Sequence, residues 1–444
     1  MGRQRVTHRT TMTTDLLTDL ERRGLVHQLS QPSHEGWPAL ADRLRRGPIT
    51  AYIGFDPTAP SLHVGSLLPM MHLVRLQRAG HRPIAIVGGG TGLIGDPSFK
   101  ASERAMLTVD QLAANVAGIR SQLERCLEFR GEHGALLVNN ADWLGQLRLL
   151  DFLRDIGKLF SVNQMIARDS VQQRLSGREH GISFTEFSYS LLQGYDFLVL
   201  HDKFGCELQL GGSDQWGNIT DGIDLIRRLR SKPAYGLTSP LVTKADGTKF
   251  GKSEKGNVWL DAKLTRPFAF HQFWLNQADG DAVRYLKYFT FVPVEEIDAI
   301  EQQSLAEPQR RHAQRRLADE VTAFVHGPAA VAAAQRAAAV LFEGGDLRAL
   351  SGEELKDAFA EAPRSQLATQ VLGTPDAALV AVLVASGLEP SKGRARTAIE
   401  SGAVSVNGVV EKDPARLLGV GDRLDGGFVV LRRGKKNYHV LEVG

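Results

Sequence analysis

Cysteine is scarce: Cys126 and Cys206 are the two in 444 residues. They stand 80 positions apart, and neither has a partner at metal-ligand spacing. A disulfide framework is thereby excluded, and a reducing cytosol is the default compartment. No apolar run approaches the roughly 18 residues that cross a bilayer, so no transmembrane helix is expected. Charge of one sign is also lacking. Lys and Arg number 53 against 50 Asp and Glu, a net charge of +3, so the whole-molecule field announces no nucleic-acid partner. Local clusters of basic residues carry more information than that sum. Two nucleotide fingerprints are missing as well. Gly88-Gly-Gly-Thr-Gly92 has no lysine at the phosphate-loop position. It also has no acidic residue about 20 residues on in a dinucleotide-type context. A P-loop kinase and a dehydrogenase are therefore disfavoured, and no internal repeat of solenoid period is present.

What is present suits a globular protein of two or three domains, with 43% hydrophobic residues to build its cores. The first dozen residues carry Arg3, Arg5 and Arg9 and no acid, a faint likeness to a transit peptide. Met12-Thr-Thr-Asp-Leu-Leu17 reads like an ordinary start, so a disordered extension or an upstream start codon is expected instead. Thr14-Asp15 predicts a helix cap ahead of Leu16, Leu17 and Leu20, with Gly24 near the helix end. Ile49–Gly54 and Pro83–Val87 read as strands, each running into a turn rich in proline or glycine. Between them Ser61–Ser66 opens an apolar helix that stops at Gly80. Strand, turn, helix, strand, glycine turn predicts a parallel α/β sheet with a ligand at the carboxyl ends of its strands.

Further on, 108–132 reads as a long helix and Ala135–Asn139 as a strand. Residues 143–176 read as helical, with more apolar surface than one amphipathic helix needs. A partner subunit and a buried helix both account for that. Residues 184–200 read as a helix, Glu207–Leu210 as a strand feeding Gly211-Gly-Ser-Asp-Gln215, and 216–230 as a helix. Leu241–Thr243 reads as the last strand of this region. Residues 265–345 are predominantly helical, and 343–368 look like a linker. Asn407-Gly408, between alternating apolar residues, predicts a hairpin.

Two stretches carry the chemistry. His63-Val-Gly-Ser66 lies at a helix start, where free N–H groups and positive partial charge suit a phosphate. Gly65 lets a flat base approach the backbone, and Thr58 lies nearby. Lys249-Phe-Gly-Lys-Ser253 puts two ammonium groups on a flexible turn, able to neutralise charge as it develops on a polyphosphate. Together they point to a nucleotide site.

In motif set and order the chain resembles the bacterial tyrosyl-tRNA synthetases, class I aminoacyl-tRNA synthetases. The resemblance rests on Tyr52-Ile-Gly-Phe-Asp-Pro-Thr-Ala59, His63–Ser66 and Val87–Ser98. It continues in Phe184–Asp196, Gly211-Gly-Ser-Asp-Gln-Trp-Gly-Asn-Ile-Thr220 and Lys249–Ser253. It implies a Rossmann-like parallel-sheet catalytic domain over 13–258, with a dimer-forming insertion at about 130–190. A helical anticodon-side domain over 259–345, a linker over 346–369 and a small α+β RNA-binding domain over 370–444 would follow. It implies tyrosine activation by ATP, accompanied by Mg2+ and without a tightly bound cofactor, then transfer to tRNA(Tyr) by a cytoplasmic homodimer. Positioning and charge stabilisation, rather than a covalent intermediate, would carry the rate.

By the same resemblance Thr58, His63, Lys249 and Lys252 hold the polyphosphate, with Lys100 and Arg104 as further pyrophosphate contacts. Gly54, Asp56, Gly65, Ser66, Gly212, Asp214 and Ser253 complete the ATP site. Asp96, Tyr189 and Gln193 meet the substrate ammonium, Tyr52 and Asp196 its phenol hydroxyl, and Gln209 and Gln215 the remaining contacts. Ser66 departs from the family pattern, which has a second histidine there. The C-terminal unit is similar to a small ribosomal RNA-binding fold. Its basic clusters, Lys392, Arg394 and Arg396 with Arg432, Arg433, Lys435 and Lys436, suit phosphate contacts. The sister possibility is a tryptophan enzyme, against which the Tyr52–Asp196 pair and the Gly-Ser-Asp-Gln turn speak; of the further alternatives, a plain nucleotidyltransferase comes first and a non-catalytic RNA-binding paralogue second. The basic C-terminal unit argues against the first, and intact His63, Lys249 and Lys252 argue against the second.

Overall fold

The computed structural model describes residues 15–95, 107–168, 171–172, 175, 182–245, 247, 250–253, 256–343, 345–434 and 437–444; of Lys252, Ser253 and Glu343 it describes the backbone alone. Two compact units divide the chain: Met1–Asp261 with Gln277–Leu317, and Ala262–Asn276 with Ala318–Gly444. Helices of the stretch 259–345 thus fall in both units.

In the first unit six strands form one sheet: β1 (Gln28–Leu29), β2 (Thr50–Phe55), β3 (Arg82–Val87), β4 (Leu136–Asn139), β5 (Cys206–Gly212) and β6 (Tyr235–Ser239). Their order is β1-β6-β5-β2-β3-β4. β1 is antiparallel to β6, and every other pairing is parallel. β2 and β3 are apolar and buried nearly throughout, as strands covered on both faces must be. From β2 the chain first moves outward through β3 and β4, then returns to place β5 on β2's other flank. That reversal puts the switch point between β2 and β5, where open α/β sheets hold their ligands.

Local signals fix the helices around the sheet. Asp15 accepts from the Thr18 amide to start Leu16–Arg22. Capping boxes Thr108/Gln111 and Ser183/Glu186 start Val109–Cys126 and Phe184–Phe204. The expected strand Leu241–Thr243 is corrected: the strand is Tyr235–Ser239, paired to Leu208–Gly212. Pro240, with no N–H to donate, ends it. The described part of the span 143–176 holds several short helices, Ala141–Leu144, Leu149–Asp155 and Val162–Ile166 among them, with Gly145 and Gly157 at the breaks.

The second unit holds a five-stranded sheet, ordered β11-β10-β12-β13-β9: β9 (Arg364–Leu367), β10 (Val404–Val406), β11 (Val409–Glu411), β12 (Phe428–Arg433) and β13 (Asn437–Val443). Asn407 and Gly408 join β10 to β11 with φ of 52° and 86°, the two positive angles of a type I′ turn. Asn407 is also buried, and its side chain accepts from the Val430 amide at 2.9 Å. The stretch 346–369 is not a bare linker. Leu347, Leu350, Leu355 and Phe359 join Phe268, Ala334, Ala337 and Leu341 in one core, and β9 pairs parallel with β13.

Candidate active site

A cavity of about 220 Å³ opens at the switch point. The centre of β2 and the neighbouring β5 supply its floor, because Tyr52 and Gln209 are register partners. Of the expected tyrosine contacts, Tyr52, Tyr189, Gln193, Asp196, Gln209 and Gln215 all line it; so do Gly54, Asp56 and Gly212 from the expected ATP set. Asp196, Tyr189 and Gln193 come from one face of the helix Phe184–Phe204, as their spacing of three and four predicts.

Asp196 is the chemical centre of the cavity. Only 3% of it is exposed, and both its oxygens are held by donors. Trp143 Nε1 donates to Oδ1 at 2.7 Å and Asn140 Nδ2 to Oδ2 at 2.9 Å. Burial raises its pKa from 3.8 to about 7, although the two donors pull the other way. Beside it Tyr52 is buried, its ring 5.2 Å from Phe197. Among the described residues its hydroxyl has no hydrogen-bond partner, and burial and the nearby Asp196 hold its pKa well above the usual value. A buried unpaired hydroxyl is costly, so this end of the cavity is shaped for a polar group that supplies the partner. Gln209 Oε1 is a second buried polar atom without a partner among the described residues.

Asn140 and Trp143 escaped the sequence reading. They lie just after β4, and a strand-end Asn-Asn pair followed by Trp was the signal available. Asn139 and Asn140 also explain the glycine run after β3. Asn139 Oδ1 accepts from the Gly89 amide at 3.1 Å and Asn140 Oδ1 from the Gly90 amide at 2.8 Å. A Cβ on Gly89 would collide with the Asn139 side chain. Asn140 Nδ2 donates to Thr91 Oγ1 too, so one amide ties the glycine turn to Asp196. Asn218 Nδ2 lies 3.1 Å from both Gln193 Oε1 and Gln215 Oε1, and Gln215 Nε2 donates to Asp214 Oδ2. Asn218 is the third residue missed, three positions beyond Gln215 on the next helix turn.

The helix start lies next to the cavity. Pro69, in the first turn of Leu67–Arg78, lines it. His63 caps the preceding turn Val64–Ser66, its Nδ1 accepting from the Gly65 amide at 3.0 Å. The Ser66 side chain makes no capping bond. Thr58 is exposed on the loop after β2.

The two-lysine turn is stitched to this helix start. The Val64 amide donates to the Val258 carbonyl at 2.9 Å, the Leu260 amide to the Leu62 carbonyl at 2.9 Å and the Val258 amide to the Gly251 carbonyl at 3.2 Å. Gly251 has φ of 92°, and a Cβ there would meet Val64 Cγ2 at 3.2 Å and the Gly65 nitrogen at 3.4 Å. Only glycine lets the turn lie this close. Lys252-Ser253 pairs with Gly256-Asn257 as a short hairpin. Asp96, Lys100, Arg104, Lys249, Lys435 and Lys436 lie outside the described residues. In the second unit Lys392, Arg394 and Arg396 are exposed on one helix, Lys392–Glu400. Arg432 donates to Ser405 Oγ, and Arg433 is paired to the buried Glu389.

A mostly parallel sheet with a ligand cavity at its switch point, a histidine-capped helix start and a lysine turn laced to that start define a class I aminoacyl-tRNA synthetase. The family model described as tRNA synthetases class I (W and Y) matches residues 44–343. That described as Tyrosine--tRNA ligase SYY-like C-terminal domain matches 354–441. Among curated relatives, the tyrosine–tRNA ligases of Roseiflexus castenholzii and Chromobacterium violaceum are each 52% identical over 97% of this chain, covering 100% and 99% of their own lengths. The chain belongs to the tyrosine–tRNA ligase family. Among solved structures, a C-terminally truncated mitochondrial tyrosyl-tRNA synthetase of Aspergillus nidulans is 32% identical, with a TM-score of 0.64 over 74% of this chain and 94% of its own. The Coccidioides posadasii counterpart gives 31% and 0.63 over 73% and 92%.

Proposed function

We infer that the chain activates L-tyrosine with ATP to tyrosyl-adenylate and pyrophosphate, then transfers the tyrosyl group to the 3′ end of tRNA(Tyr). The observation that carries this is the buried, doubly held Asp196 beside the unpaired Tyr52 hydroxyl at the sheet's switch point. A phenol hydroxyl donates to the Asp196 carboxylate and accepts from Tyr52, satisfying both. Tyr189, Gln193 and Asp96 take the ammonium, and Gln209 and Gln215 the remaining polar edges. The substrate carboxylate then points toward the His63 helix start. ATP, brought in with its Mg2+ as substrate, lies across Gly54, Asp56, Gly65, Ser66, Gly212, Asp214 and Ser253. There the carboxylate oxygen attacks the α-phosphorus and pyrophosphate leaves. Thr58, His63, Lys249 and Lys252 stabilise the charge moving onto the leaving group, with Lys100 and Arg104 beyond. The exposed arginines and lysine of 392–396 meet tRNA phosphates. These substrates meet in the cytoplasm, where this reading puts the enzyme.

Amino-acid-dependent exchange of pyrophosphate into ATP, run with every standard amino acid, tests the assignment. Exchange is expected with tyrosine alone; exchange supported by tryptophan and not tyrosine would overturn it.

A homodimer completes the reading. The helix Leu149–Asp155 buries none of its residues, and Leu149 and Leu150 are 69% and 78% exposed. With Leu153, Val162 and Ile166 they leave apolar side chains in water, which monomers seldom do on this scale. Sedimentation at micromolar concentration is expected to give a dimer, and Leu150→Glu a monomer. A monomeric parent protein would rule this surface out.

A further inference from the structure

The helix Asp279–Phe289 lines no part of the cavity, yet it grips the chain at three places, two ahead of the two-lysine turn and one within it. Before the turn, the carbonyl of Thr243 accepts from Arg284 Nη2 at 2.6 Å and from the Tyr285 hydroxyl at 3.0 Å. One step on, Asp281 Oδ2 accepts from the Ala245 amide at 3.0 Å. Asp281 is 2% exposed, and its other oxygen takes Arg284. Within the turn, Phe250 is buried against two rings of the same helix, 4.8 Å from Tyr285 and 5.4 Å from Phe289 between centroids.

The far end of that helix is held by arginines of two other helices, Leu67–Arg78 and the end of Leu16–Arg22. Arg75 Nη2 donates to the carbonyls of Tyr288 at 3.0 Å and Thr290 at 2.9 Å, and Arg23 Nη2 to that of Val292 at 2.8 Å. These are carbonyls at and just beyond the helix C-terminus, where positive charge is favoured. Arg75 belongs to Leu67–Arg78, the helix whose start carries His63 and Gly65. One clamped pair of helices therefore presents both the helix start and the turn that are read above as holding the polyphosphate. The first carries the helix start directly. The second, clamped to it, carries the turn.

We propose that Asp279–Phe289 is the seat of the two-lysine turn, with Asp281 and Tyr285 as positioning residues for adenylate formation that act through Lys252. The proposal rests on the reading given above for that lysine. A point charge acts on a transition state only if it is held within a fraction of an ångström, and displacement by about 1 Å can lose 10²-fold in rate. Removing a grip on the turn should therefore lower the rate of activation and leave tyrosine binding as it was.

Rapid-quench measurement of tyrosyl-adenylate formation by the full chain tests it, with Asp281→Ala, Asp281→Asn, Tyr285→Phe and Lys252→Ala. Asp281→Ala is expected to lower the rate of activation roughly tenfold with the tyrosine KM unchanged. Asp281→Asn keeps an acceptor for the Ala245 amide and should recover most of the loss. Transfer from preformed adenylate to tRNA should be unaffected. In a Lys252→Ala background Asp281→Ala should add less than about twofold, because the two act as one unit. If Asp281→Ala unfolds the protein, Tyr285→Phe, which deletes a single hydroxyl, should give the same pattern at smaller size. Independent multiplication with Lys252→Ala, a parallel rise in tyrosine KM, or unchanged rates in both helix variants would overturn the proposal. Unchanged rates in Lys252→Ala alone would instead remove the role given to that lysine, and this inference with it.

Discussion

Replacing Lys249 and Lys252 together by alanine is expected to lower tyrosine-dependent pyrophosphate exchange by about 10³- to 10⁴-fold, with little change in tyrosine KM. One preorganised donor aimed at developing charge is worth about 10²- to 10³-fold. Two on the same turn act as a unit, so their losses do not simply multiply. The direction follows from the chemistry. In bound ATP the charge is spread over the triphosphate and shielded by magnesium. As the bond to the α-phosphorus breaks, negative charge collects on the departing pyrophosphate, and that is where two ammonium groups gain most. Contacts that strengthen in the transition state show in kcat rather than in KM. Gly251 lies against the Gly65 backbone, so the turn already abuts the helix start that would hold the phosphates. Exchange within tenfold of the parent rate in the double variant would remove the turn from the mechanism.

Asp196→Asn is expected to reduce kcat/KM for tyrosine by about 10²-fold while barely altering that for phenylalanine. A hydrogen bond to a charged acceptor contributes about 1.5–3 kcal/mol, up to roughly a hundredfold. The asparagine also sets its own NH2 against either Trp143 Nε1 or Asn140 Nδ2, both donors. Discrimination should fall by the same factor of about 10². A site built around a substrate hydroxyl rejects the analogue lacking it by about 10⁵-fold, a magnitude whose established example is the tyrosine enzyme family itself. Competing exchange assays with the two amino acids measure the ratio, and unaltered discrimination would mean that Asp196 does not read the phenol.

The same residue sets a pH signature. Its folded-state pKa, about 7, lies above the unfolded 3.8, so folding favours the protonated form. The stability it contributes is full below about pH 4 and is lost as pH rises through about 7. Tyrosine affinity should move oppositely, rising as the carboxylate acceptor forms. In Asp196→Asn that step should vanish from the pH profile of tyrosine binding.

Much of this site was legible because its residues travel in short, chemically explicit runs. Tyr52 lies in a β-branched and aromatic strand that stops at a proline turn. Tyr189, Gln193 and Asp196 share a helix face by spacing alone. His63, Gly65 and the glycine run after β3 mark backbone positions that a ligand or another segment must approach. What escaped was the far partner. Asn140 and Trp143 stand 56 and 53 positions from the carboxylate they hold. Nothing around them in the chain says that β4 ends beside that helix. The strand misplaced at Leu241–Thr243 failed for a related reason: Tyr235–Ser239 is recognisable as a strand by its pairing with β5 more than by its own residues. Residues 346–369 looked like a linker because Gly352 and Pro363 are local signals, whereas Leu347, Leu355 and β9 are held by distant parts of the second unit.

By itself, then, the sequence determined the caps, the glycine turns, the Asn407-Gly408 hairpin and the set of chemical groups, including the two lysines and the histidine. Each depends on backbone angles and hydrogen bonds that adjacent residues settle among themselves. The tertiary structure alone decided that Asp196 has two donors and Tyr52 none, that Gly251 rests on Gly65, and that Asp281 and Tyr285 hold the flank of the lysine turn. Those contacts join segments brought together by strand order and core packing, and a buried polar group finds its partner only once the whole sheet has closed around it.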